Sequence, residues 1–83
     1  MNNENTTMFK LERDMTEEVT EALSLTFNSL KEKGYNPINQ IVGYIMSGDP
    51  IYITSHNGAR SAISKIDREE ILEVVFEKFL SEK

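Results

Sequence analysis

Glycine and proline are concentrated in one stretch of the chain, and this clustering limits the fold more than any other feature. Residues 34–50, GYNPINQIVGYIMSGDP, hold three of the four glycines and both prolines. The Asn-Pro pair at 36–37 and the Asp-Pro pair at 49–50 are typical helix starts, because the first side chain caps and proline needs no hydrogen bond there. Gly34 and Gly48 suit helix ends. We therefore interpret the stretch as turns between helices.

Apolar residues recur at steps of three and four along most of the chain, which is the period of amphipathic helices. We predict an all-α compact bundle of about five short helices, beginning near Asp14, Pro37, Pro50, Ser55 and Asp67. The residues expected to face inward are Val19, Ala22, Leu23, Phe27, Leu30, Ile38, Ile41, Val42, Ile45, Ala59, Ala62, Ile63 and Ile66.

The N-terminal residues differ from the rest. Residues 1–13 lack a helical period, so we predict a flexible, mobile N-terminal tail of 1–13 and a single helical domain of 14–83. The N-terminus lacks the basic and apolar regions of a signal peptide, and no apolar run approaches 18 residues. We therefore expect a cytoplasmic protein without membrane insertion.

The last predicted helix is apolar around well over half of its circumference. It begins at Asp67, with Glu70 completing a capping box. A helix packed on one side of a monomer needs only an apolar stripe, so a second covering surface is indicated. A chain of 83 residues without cysteine offers little material for that, which favours a homodimer. The alternative is a central helix wrapped by the others. The candidate dimer residues are Ile71, Leu72, Val75, Phe76 and Phe79.

No catalytic or metal-binding pattern emerges. His56 is the only histidine, and a Ser-His-acid arrangement with Ser55 or Ser61 has only sequence proximity in its favour. The acids near residue 17 suit a helix start and lack EF-hand spacing. We expect no enzymatic activity, no cofactor and no metal.

Aromatic and basic residues supply candidate binding surfaces. Tyr35, Tyr44 and Tyr52 lie close in sequence and suit a partner surface, although half-buried core tyrosines are the alternative. Arg60 and Arg68 could form a basic patch that docks a phosphate, or simply a solvated face.

Two helices joined by a short turn also resemble a helix-turn-helix unit, the rival functional hypothesis. A small nucleic-acid-binding protein of that type would have only Arg60 and Lys65 for phosphate contacts on its second helix. The net charge of −5 argues against a broad phosphate-binding surface. We expect no nucleic-acid partner.

Thr6 and Thr7 lie in the predicted tail, where a kinase could reach them. Phosphorylation would add roughly −1.5 to −2 charges beside the domain. Fully extended, the seven residues from Thr7 to Asp14 reach about 25 Å, so a phosphate could meet the chain's own arginines or helix N-termini. The alternative is a tail that serves only solubility.

Several motifs together resemble the IreB/ReoM family of small regulatory phosphoproteins of Gram-positive bacteria. They are TMF, LKEKGYNPINQIVGY, SGDPIYITSH, AR and REEILE, from about Thr7 to Leu80. The resemblance implies an all-helical homodimer without enzymatic activity, phosphorylated on an N-terminal threonine by a PASTA-domain Ser/Thr kinase and dephosphorylated by its cognate phosphatase. It further implies a role in cell-wall homeostasis through peptidoglycan precursor synthesis, in some bacteria through Clp-protease turnover of the UDP-GlcNAc carboxyvinyltransferase.

By position, the resemblance places the phospho-acceptor on Thr7, directly before Met8 and Phe9, with Thr6 as a neighbouring alternative. The chain departs from the family after His56, where NGARSAISKID replaces a more basic run. This departure implies a weaker arginine dock for the phosphate or a different partner.

Overall fold

The structure is a computed structural model that describes the backbone of residues 2–82 and the side chains of residues 15–82. No strand occurs within residues 2–82, which confirms the all-α fold class. The predicted five short helices are four α-helices and two 3-10 turns. These are α1 (Asn2–Glu32), α2 (Pro37–Ser47), the turns Pro50–Tyr52 and His56–Gly58, α3 (Ala59–Ser64) and α4 (Arg68–Ser81).

The first helix is longer than predicted. Its bounds, Asn2–Glu32, include Asp14, where the sequence analysis placed its start. Residues 2–14 contain neither glycine nor proline, so no residue there interrupts a helix. The division into a mobile tail of 1–13 and a domain of 14–83 concerns residues outside the described side chains and stays a prediction.

The predicted turns around α2 are confirmed. Asn36 Oδ1 accepts a hydrogen bond from the Asn39 amide at 3.1 Å, and Asp49 Oδ1 accepts one from the Ile51 amide at 3.1 Å. Gly48 ends α2 with a φ of 75°, in the left-handed region that favours glycine. The glycine-proline stretch therefore ends one helix and starts two more elements.

The two later capping predictions are wrong. Ser55 has helical backbone angles and makes no capping bond, while Thr54 Oγ1 accepts from the His56 amide at 3.2 Å. Asp67 precedes α4 as predicted, but its side chain makes no capping bond. Its backbone carbonyl accepts from the Ile71 amide at 3.1 Å, which is the first backbone hydrogen bond of the helix. Glu70 Oε1 is buried without a hydrogen-bond partner among the described residues, so no capping box forms.

The core forms where α3, α4 and α2 pack against one side of α1. Thr26 and Ser29 of α1 are also fully buried there, although the sequence analysis had chosen Phe27, which is exposed. Steps of three and four from Val19 lead to Thr26 and Ser29, and Phe27 falls at the edge of that stripe. The buried apolar residues are Val19, Ala22, Leu30, Tyr44, Ile53, Ala59, Ile63, Ile66, Ile71 and Val74.

The second helix is rotated relative to its predicted orientation. Ile41 and Ile45 pack against the core as predicted, with Tyr44 buried between them. Ile38 and Val42 were expected inside but are exposed. Since residues 41, 44 and 45 share one side of a helix, Val42 turns towards solvent. Ile38 lies at the edge of the buried side, in the first turn of α2.

Candidate interaction surfaces

The three tyrosines do not form one surface. Tyr44 is only 5% exposed and belongs to the core, so its prediction as a partner contact is wrong. Tyr35 and Tyr52 remain accessible. Tyr52 packs so closely on α2 that a Cβ atom at Gly43 would lie 2.6 Å from its ring, and Gln40 donates to its carbonyl at 2.9 Å. Glycine at 43 thus allows the 3-10 turn to lie against α2.

A neutral apolar surface, here called the α2 face, was missed by the sequence analysis. It consists of Ile38, Val42 and Met46, which are four residues apart, together with Ile51 from the following turn. Met46 is 78% exposed. Because α2 contains no charged residue, no side chain of α2 itself gives this surface a charge. The four-residue spacing was visible in the sequence, but nothing there showed which side faced solvent.

Arg68 joins the start of α4 to the end of α2. Its guanidinium donates to the Ile45 carbonyl at 2.7 Å and lies over Gly48, where a Cβ atom would be 2.8 Å from Arg68 Cζ. The last turn of α2 has no basic residue of its own, and a cation stabilises this end of a helix. One side of the Arg68 guanidinium thus already binds the backbone. Phosphate docking by Arg68 stays a prediction.

Arg60 also has a structural contact. Its Nε donates to the Ile53 carbonyl at 2.8 Å, linking α3 to the segment that follows the first 3-10 turn. Phosphate docking by Arg60 likewise stays a prediction. The helix that would have to enter a DNA groove, α3, has only six residues, and Lys65 lies beyond its end. The described residues therefore disfavour the helix-turn-helix hypothesis.

The last helix is buried on one side only. Ile71 and Val74 belong to the core, so Ile71 is not available for dimer contact as predicted. The other four candidates remain accessible, together with Leu80. The described residues leave most of the apolar surface of α4 accessible, which disfavours the alternative of a central helix wrapped by the others. These accessible residues are Leu72, Val75, Phe76, Phe79 and Leu80.

A groove runs between α4 and the part of α1 around Met15, and we call it the acidic groove. Its volume is about 960 Å³, and it is open to solvent. Leu72, Phe76 and Leu80 form an apolar ridge along it at four-residue steps. Among the described residues that line it there are four glutamates and no lysine or arginine. The lining residues are Met15, Thr16, Glu69, Glu70, Leu72, Glu73, Val74, Phe76, Glu77 and Leu80.

Glu70 is the carboxylate most affected by its position in this groove. Burial raises its pKa above the ordinary value of 4.5, and the negative charges of Asp67, Glu73, Glu18 and Glu69 add to the shift. One oxygen, Oε1, is buried without a hydrogen-bond partner among the described residues. A carboxylate in this environment is stabilised by a proton or by a nearby cation.

The only histidine has a structural partner. His56 Nε2 lies 2.8 Å from Glu32 Oε1, and Asn57 Nδ2 donates to the same oxygen at 3.4 Å. Asn57 adopts a left-handed backbone with φ of 58°. The contact fastens the second 3-10 turn to the end of α1. Residues 15–82 contain no group of three or more acidic or histidine side chains able to hold a metal ion.

With the surfaces described, the chain can be compared with known proteins. The family model described as IreB regulatory phosphoprotein matches residues 4–81. The chain belongs to the IreB family. It is also 54% identical over 82 residues to a UPF0297 protein of Acetivibrio thermocellus, an alignment that covers 99% of this chain and 91% of that protein.

Membership of the IreB family confirms the resemblance inferred from the sequence motifs. The family description is that of a regulatory phosphoprotein, which is compatible with a non-enzymatic role. The matched range includes Thr6 and Thr7, but both lie outside the side chains that the structure describes. Within the described residues, no helix combines the length and apolar content needed to cross a membrane.

Proposed function

We propose that this chain is a non-enzymatic cytoplasmic regulator that a membrane PASTA-domain Ser/Thr kinase phosphorylates on Thr7 or its neighbour Thr6. A cognate phosphatase reverses the modification. The protein controls peptidoglycan precursor synthesis and the response to envelope stress through protein–protein contacts. The observation that carries this proposal is the match of the IreB regulatory phosphoprotein family over residues 4–81, which include both threonines.

The downstream contact in this proposal uses the α2 face with the accessible Tyr35 and Tyr52. Large apolar side chains that monomeric proteins would bury are accessible here, among them Ile38, Val42 and Met46. Exposed apolar patches of this kind mark interaction sites. A Clp-protease adaptor is the type of partner that the proposal assigns to this surface.

The proposal also includes a homodimer formed through α4. Val75 and Phe79 lie four residues apart on one ridge of the helix, and both are accessible. A two-fold axis beside this ridge would cover the same residues in both copies. Sedimentation over a range of concentrations tests this point, since Val75→Ser with Phe79→Ser should produce monomers.

The phosphorylation proposal is tested with the host's PASTA-domain kinase, ATP and intact-mass measurement followed by peptide mapping. We expect one phosphate on Thr7 or Thr6. The variant Thr7→Ala distinguishes the two acceptors, and Thr6→Ala with Thr7→Ala should remove all incorporation while leaving the circular dichroism spectrum unchanged. No phosphate on the unmodified chain, with a control substrate phosphorylated in parallel, would contradict the proposal.

A further inference from the structure

The acidic groove is suited to an occupant that is both apolar and basic. An apolar ridge of Leu72, Phe76 and Leu80 favours apolar side chains, and four glutamates beside it favour cations. Glu70 has a buried oxygen that lacks a hydrogen-bond partner among the described residues. A nearby positive charge would stabilise this carboxylate. A segment that combines apolar and basic residues over a few positions meets both requirements.

We propose that residues 8–13 of the same chain occupy the acidic groove, and that phosphorylation of Thr7 displaces them. This inference rests on the proposed function, because it assigns a mechanism to the modification of Thr7. Displacement would expose the apolar ridge of α4 to a partner. The unphosphorylated chain is thus the covered state, and the phosphorylated chain is the open state.

The sequence of this segment complements the groove. Residues 8–13 are MFKLER. Met8, Phe9 and Leu11 are apolar, and the segment has two basic residues and one acidic residue. No other stretch of the chain outside the described side chains carries this combination, since residues 1–7 are polar apart from the initial methionine. The chemistry needed to fill the groove is therefore supplied by the chain itself.

The segment also ends close to the groove. Met15, the first residue with a described side chain, lines it. Residues 8–13 end two positions earlier, so they reach the groove without a long linker, and their effective concentration there is high. The α4 part of the groove, from Glu69 to Leu80, is about 17 Å long at about 1.5 Å per residue. Six residues span about 9 Å as a helix, which fits within that length.

Residues 1–13 show no helical period by themselves, but two apolar positions of the segment continue the period of α1 from Met15. Positions 8, 11 and 15 follow each other at steps of three and four, and the buried Val19 continues the series. The bounds of α1, Asn2–Glu32, include all four positions. In a helical approach, positions 8 and 11 therefore share the side of position 15, which meets the groove.

Phosphorylation reverses the electrostatics of this arrangement. A phosphate on Thr7 adds roughly −1.5 to −2 charges directly beside the segment. The groove already holds four glutamates, and the Glu18 charge of α1 acts on Glu70 across it. Like charges repel each other, and at physiological ionic strength this repulsion is screened over about 8 Å. The phosphate also competes with the glutamates for Lys10 and Arg13.

The inference is tested by solution NMR on the full chain with labelled methyl groups. In the unphosphorylated protein we expect contacts between the methyl groups of Met8 or Leu11 and those of Leu72 or Leu80. Incorporation of phosphothreonine at position 7 during synthesis should abolish these contacts and increase the mobility of the backbone at residues 8–13. Retention of the contacts in the phosphorylated chain would overturn the switch.

Two further samples make the result specific. Glu77→Lys should restore the contacts in the phosphorylated chain, whereas Glu21→Lys, an exposed change away from the groove, should not. Equal recovery by both would overturn the role of groove charge. A mixed sample of differently labelled chains shows whether the contacts are within one chain, and contacts only between chains would overturn the intrachain occupant. Because no kinase is used, these outcomes do not depend on whether the proposed phosphorylation occurs in the host.

Discussion

The α2 face and the acidic groove are both accessible apolar surfaces, but they differ in charge. The α2 face lies on a helix without a single charged residue. The groove has an apolar ridge of comparable residues beside four glutamates. Both exist because each helix carries more apolar positions than the small core has room to bury.

This difference implies different selectivity. A neutral apolar surface accepts an apolar partner with little dependence on salt, whereas a surface rich in carboxylates favours basic partners and responds to salt and to added phosphate. The α2 face is therefore suited to a constant contact and the acidic groove to a regulated one. If this is so, residues on either surface contribute little to the stability of the fold, and α2 and α4 are held together by other contacts.

The largest expected effect separates the two sides of α2. Tyr44→Ala should lower the free energy of unfolding by about 3 kcal/mol, because it empties a buried site. Val42→Ala, on the α2 face, should change it by less than about 0.5 kcal/mol. Urea unfolding followed by circular dichroism measures both. A large loss in Val42→Ala at low protein concentration would mean that the α2 face is needed for folding.

The same comparison on α4 uses two adjacent valines. Val74 is 8% exposed and Val75 is 40% exposed. Val74→Ala should cost about 2 kcal/mol and should do so at every protein concentration, since it removes a core contact. Val75→Ala should have a small effect that grows with concentration if α4 forms the dimer. Equal and concentration-independent losses would place Val75 in the core and contradict the distinction.

The connection between α2 and α4 is tested by substitutions at two glycines. Gly48 and Gly34 both have positive φ, but only Gly48 has the Arg68 guanidinium against it. Gly34→Ala should cost about 1 kcal/mol from backbone strain, and Gly48→Ala should cost more. In an Arg68→Ala background the excess should disappear. If the excess persists there, Arg68 does not fasten α4 to the end of α2.

The smallest expected effect concerns pH and the acidic groove. The pKa of Glu70 is raised in the folded chain, so the folded state binds its proton more tightly than the unfolded state does. The contribution of Glu70 to stability is thus complete below about pH 4.5 and is lost as the pH rises through the raised value. Glu70→Gln should remove this pH dependence and should raise the melting temperature at pH 7.

Thermal unfolding between pH 4 and pH 8 measures this effect. Glu77→Gln, a matched change among the residues that line the same groove, serves as the control for loss of one negative charge. An identical pH profile for the unmodified chain and Glu70→Gln would show that the buried carboxylate is not responsible.

Local chemistry explains most of what could be predicted. The cap at Asn36 and the turn at Asp49 depend on neighbouring residues only, and both form as predicted. The end of α1 near Gly34 follows from the same type of signal. The predicted side-chain caps at Ser55 and Asp67 do not form. Beside Ser55 the Thr54 hydroxyl accepts from the His56 amide, and at Asp67 only the backbone carbonyl accepts, from the Ile71 amide. Cap residues indicate where a helix begins more reliably than which side chain makes the bond.

Rotation of the helices about their axes was harder to predict. The periodic pattern of α2 allowed Val42 inside and Tyr44 outside, and the structure has the opposite arrangement. On α1, the polar Thr26 and Ser29 occupy core positions that a hydrophobic pattern assigns to Phe27. A helix with apolar residues on several sides has no single preferred orientation in the sequence, so packing against neighbouring helices decides it.

Sequence alone was enough to infer the all-α class, the helix boundaries at glycine and proline, the IreB family and the apolar excess of α4. These depend on local backbone preferences and on residue types, which do not require distant contacts. Packing between distant parts of the chain buries Tyr44, brings Arg68 to the end of α2, and places glutamates of α4 beside Met15 in a groove. Each of these features joins residues far apart in the chain, and long-range packing is what brings them together.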